Sequence, residues 1–110
     1  MRAIKFRAWD TENKKMVSDI SLGTVNFYES LNEFFKSTNL MQFTGLLDKN
    51  GTEIYEGDVV AYGTDKPQEI IYEKGMFTWR NEGSMSLGNY YSKLMEVVGN
   101  IYENPELLKQ

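Results

Sequence analysis

The chain has 110 residues, of which 41% are hydrophobic, and a formal net charge of −4. A chain of this length and hydrophobic content can bury a core without disulfides or metal ions, so we expect one folded domain and not a disordered segment. It contains no Cys and no His. Disulfide bonds, thiolate metal sites and catalytic triads with a histidine base are therefore excluded.

The N-terminus, MRAIKFRAWD, has no apolar run of signal-peptide length. No other stretch approaches the ~20 apolar residues that a membrane-spanning helix needs. We therefore expect a cytoplasmic protein without a membrane partner.

The first twenty residues are predicted to form a β-hairpin. Ile4, Phe6 and Ala8 alternate with larger polar or amphipathic residues, and this period of two is typical of a half-buried strand. The polar stretch DTENKK follows and leads to a second candidate strand, MVSDI. Two strands joined by a polar loop indicate a hairpin.

A short helix is predicted next. Leu31, Phe34 and Phe35 recur at spacings i, i+3 and i+4, which places them on one helical face. Thr38 and Asn39 then interrupt the pattern, so the helix is expected to end before them.

From residue 40 the pattern is typical of short strands. Asn50-Gly51 separates LMQFTGLL from TEIYEGDVVAY and is the favoured pair for a two-residue type I′ hairpin turn, because both positions need positive φ. Lys74-Gly75 separates QEIIYE from MFTWR in the same way and predicts another hairpin.

The C-terminal part is predicted to close the fold. The stretch YYSKLMEVVGNIY can begin as a helical turn, and its β-branched residues Val97, Val98 and Ile101 favour a closing strand. Asn104 and Pro105 are the residue types preferred at the N-cap and the first position of a helix.

Together these elements predict a mainly β fold, an SH3-like small barrel with an N-terminal β-hairpin and one or two short helices. We expect a single domain over residues 1–110. Its parts would be the N-terminal hairpin plus short helix (1–39), a barrel core (40–104) and a C-terminal helical turn (105–110).

The acidic segment FTGLLDKNGTEIYEGDVV, residues 43–60, raises the question of a metal site. A helix–loop–helix calcium loop that starts at Asp48 would need Gly at its sixth position and Glu at its twelfth. Those positions hold Glu53 and Val59, and the flanking residues are predicted strands. We therefore expect no metal site and interpret Asn50 and Gly51 as structural turn residues.

Glu56 and Asp58 flank Gly57 and would share a face of a strand, as a catalytic carboxylate pair could. Such a pair needs an apolar pocket that raises the pKa of one carboxyl. Asp58 can more simply accept backbone N–H bonds in a tight turn in which Gly57 supplies an unusual φ. We favour this turn interpretation and expect no catalytic residue and no cofactor.

Trp9 lies close to Arg7, and Trp79 precedes Arg80. Aromatic side chains beside basic ones can stack on nucleobases, and small barrels often bind nucleic acid in this way. The negative net charge opposes this function, because phosphate neutralisation supplies much of the affinity for nucleic acid. We expect Trp9 and Trp79 to serve in core packing or a protein interface, and a nucleic-acid-binding small barrel is the alternative.

Three motifs run through the chain in order: IKFRAWD with NKKMV, then LMQFTGLLDKNGTEIYEGDVV, then EVVGNIYENPELL. Together they resemble the YopX family of small phage and prophage proteins, from one end of the chain to the other. The resemblance implies a gene carried by a bacteriophage or prophage and a largely β structure of SH3-like barrel type. It implies no enzymatic activity and provides no catalytic residues.

We therefore expect a non-catalytic protein-interaction or assembly module in the cytoplasm of a bacterial host cell. Its partner would be a phage or host protein, and the chain itself is expected to form a homo-oligomer. The N-terminal hairpin has apolar residues on one face and Trp9 on the other, so we expect it to contribute to that interface.

Overall fold

The computed structural model describes residues 5–20, 38–63, 66–73, 75–79 and 87–109. Within these ranges the chain forms eight strands: β1 (Phe6–Asp10), β2 (Lys15–Ile20), β3 (Thr38–Leu47), β4 (Glu53–Tyr55), β5 (Asp58–Tyr62), β6 (Gln68–Glu73), β7 (Met76–Trp79) and β8 (Met95–Asn100). The helical segments described are α1 (Asn89–Ser92) and a 3-10 helix (Pro105–Leu108).

The strands form two antiparallel sheets with the orders β2-β1-β3-β4 and β7-β6-β5-β8, and one sheet curls into a half-barrel. The predicted mainly β fold is confirmed. The helix predicted around Leu31, Phe34 and Phe35 lies outside the described residues. No described helix is long and apolar enough to cross a membrane.

The chain divides into two compact units, Met1–Phe43 and Thr44–Gln110. The boundary between the two units lies inside β3. The reason is the pairing of this long strand: its first residues, Thr38 to Gln42, pair with β1 and so belong to the N-terminal unit.

In the first unit, β1 and β2 form the predicted hairpin, with Ala8 opposite Val17. Ala8 is fully buried, in agreement with its place on the apolar side of the alternating pattern. The loop is held by the Asp10 carboxylate, whose Oδ1 accepts the N–H groups of Glu12 and Asn13 at 3.0 and 3.1 Å.

The second unit has a hydrophobic core made of residues from both ends of the unit. Its buried members are Ile54, Val60, Ile70, Phe77, Leu87 and Met95. Trp79 packs partly buried against this cluster, and its ring centroid lies 5.3 Å from that of Tyr91. The predicted hairpin of β6 and β7 is present, with Gly75 at φ +80° in its turn.

The closing strand β8 pairs with β5 and contains an irregularity at Val98, because Val59 pairs with Gly99 and Val60 with Val97. One extra residue of this kind is a β-bulge. Ile101, which the sequence places in the strand, lies in the turn that follows.

The C-terminal turn differs from its prediction. The helix that begins at Pro105 is a 3-10 helix, and the Asn104 side chain makes no capping hydrogen bond to it. Asn104 Oδ1 accepts instead from the Asn100 N–H at 3.2 Å. The side chain folds back over Gly99, where a Cβ atom would lie 2.6 Å from Oδ1. Because Gly99 has no side chain, it leaves room for the side chain of Asn104.

Candidate functional site

The turn between β3 and β4 has three residues, Lys49, Asn50 and Gly51. Asp48 N–H donates to the Thr52 carbonyl at 2.8 Å, and Gly51 N–H donates to the Asp48 carbonyl at 3.0 Å. Gly51 has φ +83°, whereas Asn50 is not at positive φ. This geometry is a type I turn followed by a left-handed glycine. The predicted two-residue type I′ turn is therefore wrong, although both residues lie in the turn.

The Asp48 carboxylate accounts for the difference. This side chain is 4% exposed, and its Oδ1 accepts the Asn50 N–H at 2.8 Å and the Thr52 N–H at 2.9 Å. Asp is favoured at the first position of a type I turn because its side chain can make such local bonds. The sequence pattern suggested for Asp48 only a calcium-ligand role, which its spacing excluded, and an Asp two residues before Asn50 is the signal that indicates this turn.

The same turn also covers the outer edge of β8. Asp48 Oδ2 accepts the Val97 N–H at 2.8 Å, and the Lys49 N–H donates to the Met95 carbonyl at 3.0 Å. β8 ends its sheet, and an edge strand presents backbone groups that would otherwise pair with another strand. Asp48 and Lys49 therefore supply two of the bonds that a further strand would make.

The electrostatics of Asp48 follow from these contacts. Burial acts to raise the pKa of its carboxyl, but the backbone N–H donors of Val97, Thr52 and Asn50, together with the charge of Lys49, leave the pKa below its ordinary value of 3.8. The carboxylate is thus ionised at neutral pH and is fully engaged by backbone donors. Its role is structural.

Stability is expected to depend on pH through Asp48. Because its folded-state pKa is lowered, its contribution is complete above the ordinary carboxyl pKa of about 4 and is lost as the pH falls through the folded value. In urea denaturation, wild type should exceed Asp48→Asn in stability near neutral pH, and the difference should shrink towards pH ~3. A difference that stays constant over this range would contradict the assignment. Asp10, whose pKa is lowered mainly by its bonds to Asn13, remains in both proteins and cancels in the comparison.

Beside this turn lies an open depression of about 460 Å³, lined by residues 45–49, Gly51 and Lys93. Leu47, which lines the depression, is 47% exposed. Lys49 Nζ lies 3.7 Å from Glu96 Oε1, and both side chains are about half exposed. The depression thus combines aliphatic surface with ammonium groups.

The tight turn after β4 contains Gly57, and Asp58 follows it as the first residue of β5. Asp58 is 1% exposed, and its Oδ2 accepts the Tyr55 N–H at 2.8 Å. Gly57 has φ +88°. The structure therefore contains the local bond and the unusual φ on which the turn interpretation depends.

The two tryptophans lie in different units. Trp9 is half-buried in β1, opposite Met16 of β2 and Asn39 of β3. Trp79 belongs to the core-packed surface of the second unit, and the neighbouring Arg80 lies outside the described residues. In the part of the chain that the structure describes, no three Asp or Glu side chains are grouped so that they could hold a metal ion.

Comparison with known proteins adds the family. The chain is similar to the crystal structure of protein EF1440 from Enterococcus faecalis, with 30% sequence identity and a TM-score of 0.78, over 98% of this chain and 99% of that one. No curated protein matches the sequence. The family model described as "YopX protein" matches residues 5–109. This match includes both units and the three motifs almost in full, and the chain therefore belongs to the YopX family.

Proposed function

We propose that this YopX chain is a non-catalytic protein-interaction module, encoded by a phage or prophage and active in the cytoplasm of the bacterial host. The observation that carries the proposal is the exposure of large apolar side chains in the second unit, among them Leu47 beside the β3–β4 turn and Leu94, which are 47% and 42% exposed. The segments that contain them are joined by the bond from the Lys49 N–H to the Met95 carbonyl. Exposed apolar patches rimmed by charged residues mark protein-interaction surfaces.

The buried polar side chains support the same conclusion. Asp48 and Asp58 accept backbone N–H bonds, and Asn100 Oδ1 accepts those of Tyr102 and Glu103 at 3.0 and 2.8 Å. A general acid or base must instead reach a substrate proton. These groups hold turns and strand edges, which favours a scaffold for binding over a catalytic role.

The basic hairpin favours a protein partner over nucleic acid. Lys5 Nζ lies 4.7 Å from the centroid of the Phe43 ring, and Arg7 Nη2 lies 3.7 Å from the sulfur of Met41. Two basic groups of the hairpin are thus engaged with side chains of their own unit. Since phosphate contacts supply most of the affinity for nucleic acid, the alternative of a nucleic-acid-binding barrel is the weaker one.

We further propose that the module self-associates through the N-terminal hairpin. Light scattering after size exclusion, at protein concentrations on the order of tens of micromolar, should give an oligomeric mass for wild type and a monomeric mass for Trp9→Glu. The reason is that a charge at a half-buried aromatic position of an interface is not matched by a partner charge. Tyr72→Glu, at a position that is 53% exposed in β6, is the matched control and should leave the mass unchanged.

A monomeric wild type would contradict self-association. An oligomer that survives Trp9→Glu would place the contact elsewhere and contradict the role of the hairpin. High-affinity binding of labelled DNA or RNA with a steep salt dependence would overturn the preference for a protein partner.

A further inference from the structure

The β3–β4 turn presents a chemically labile pair of residues to solvent. Asn50 and Gly51 are both exposed, and a Cβ atom built on Gly51 would meet no other atom within 4 Å. Asparagine is a thermolabile residue. It is most reactive before glycine, because glycine has no Cβ to obstruct the approach of its own backbone nitrogen to the neighbouring side chain. Water and the reacting groups therefore meet at this turn.

The reaction at such a pair needs only water as a co-reactant. The Gly51 nitrogen attacks the side-chain amide carbon of Asn50, the bond from that carbon to Nδ2 breaks, and ammonia leaves with the former Gly51 amide proton. The product is a five-membered cyclic imide. Water then opens the imide at one of its two carbonyl groups. Cleavage of the newly formed bond gives aspartate, and cleavage of the original peptide bond gives isoaspartate, whose backbone runs through the side-chain carbon.

The folded turn holds the reacting groups apart. The Gly51 N–H donates to the Asp48 carbonyl at 3.0 Å, and Asp48 Oδ1 accepts the N–H groups of Asn50 and Thr52 at 2.8 and 2.9 Å. In a type I turn the third residue has a ψ of about 0°, which places the next nitrogen roughly 120° away from Cβ around the Cα–C bond. The imide ring needs this nitrogen and Cβ on the same side of that bond. Ring closure therefore requires rotation at Asn50 and loss of the Gly51–Asp48 bond.

We propose that Asn50 is a site of spontaneous deamidation and that Asp48 controls its rate. The reaction proceeds only when the turn opens locally, because the closed turn lacks the geometry for attack. Asp48 keeps the open state rare, since its carboxylate binds two N–H groups of the turn and also the Val97 N–H of β8 at 2.8 Å. This inference does not depend on the proposed interaction function.

The products do not fit the closed turn. Both add a carboxylate two residues from Asp48, which is buried and ionised, and like charges at short range repel each other. Isoaspartate also inserts an extra backbone atom before Gly51, so the Gly51 N–H can no longer meet the Asp48 carbonyl. Deamidated protein is therefore expected to unfold at a lower urea concentration than unmodified protein.

The test is incubation of the folded protein at neutral pH and physiological temperature, followed by proteolysis and mass spectrometry. This measurement detects replacement of the Asn50 side-chain NH₂ by OH and assigns its position. The reference is the synthetic peptide LLDKNGTEI, which has the same local sequence without the fold. We expect wild type to react at least about tenfold more slowly than the peptide, and Asp48→Ala to react about tenfold faster than wild type.

Gly57→Val is the matched control, because it destabilises the same unit but leaves every bond of Asp48 in place. It should react at close to the wild-type rate. Asp48→Asn keeps one acceptor oxygen and should react at a rate between those of wild type and Asp48→Ala. This variant and the comparison of wild type with the peptide decide the question if Asp48→Ala does not fold.

Three results would overturn the proposal. Equal rates in wild type and the peptide would show that the turn does not protect Asn50. Equal acceleration by Gly57→Val and Asp48→Ala would assign the reaction to global unfolding and not to opening of the turn. An Asn50 that stays intact even in wild type unfolded in urea would refute the modification site itself.

Discussion

Replacing Asp48 by alanine is expected to lower the free energy of unfolding by about 3 kcal/mol, measured by urea denaturation. The substitution removes the acceptor of three backbone N–H groups, two in the turn and one, Val97, in β8. Each buried donor that is left unsatisfied costs about 1–3 kcal/mol. The total for the three donors is reduced because partial opening of the turn lets water bond to them. The effect is large because one carboxylate holds two elements that lie 49 residues apart in sequence.

Two variants separate this mechanism from a general loss of charge. Asp48→Asn keeps one acceptor oxygen and should fall between wild type and Asp48→Ala. Asp10→Ala removes another carboxylate that caps a turn, but an exposed one, and should cost clearly less. Equal losses for Asp10→Ala and Asp48→Ala would show that burial and the bond to β8 do not matter.

Gly57→Val is expected to destabilise the protein by about 3 kcal/mol, because a β-branched residue at strongly positive φ is strained and a buried position offers no relief. Gly57 has φ +88° and is buried. Both of its backbone groups are engaged, since its N–H donates to the Ile70 carbonyl at 2.8 Å and its carbonyl accepts from Ile101 N–H at 2.9 Å. The backbone therefore cannot rotate to a relaxed conformation without losing both bonds.

Gly63→Val is the matched control for this prediction. Gly63 has φ +60°, and a Cβ atom built there meets no other atom within 4 Å. Gly63 has positive φ but is not buried. Gly63→Val should therefore lower the free energy of unfolding by about 1–2 kcal/mol, measured by thermal or urea denaturation. Similar losses at the two glycines would mean that strain alone, and not the enclosed backbone of Gly57, sets the cost.

Local patterns predicted much of the fold because their physical causes are local. The alternation around Ala8 follows from the two-residue repeat of a strand, and Gly51 and Gly75 sit where a turn requires positive φ. The error at Asn50 is also local: the Asn-Gly pair is compatible with more than one turn type, and the side chain of the preceding Asp48 decides between them.

The candidate site was harder to predict because its parts are distant in sequence. Nothing in the segment from Gly45 to Gly51 indicates that Lys93 lies beside it. Asn104 is a local case, because its partner Asn100 lies four residues earlier, although its residue type and position before Pro105 indicate an N-cap. Its side chain instead occupies the space over Gly99 and accepts the N–H of Asn100, the last residue of β8.

By itself, the sequence determined the β class of this protein, its hairpins, its turn glycines and, through its three motifs, its family. These features depend on side-chain alternation and backbone sterics, which act over a few residues. The tertiary structure decided which acidic residues are structural. Asp48 and Asp58 are buried, whereas Glu53 and Glu56 remain partly exposed. A buried carboxylate needs hydrogen-bond donors or a countercharge. Asp48 obtains backbone N–H groups, and one of them comes from β8, which folding alone brings there.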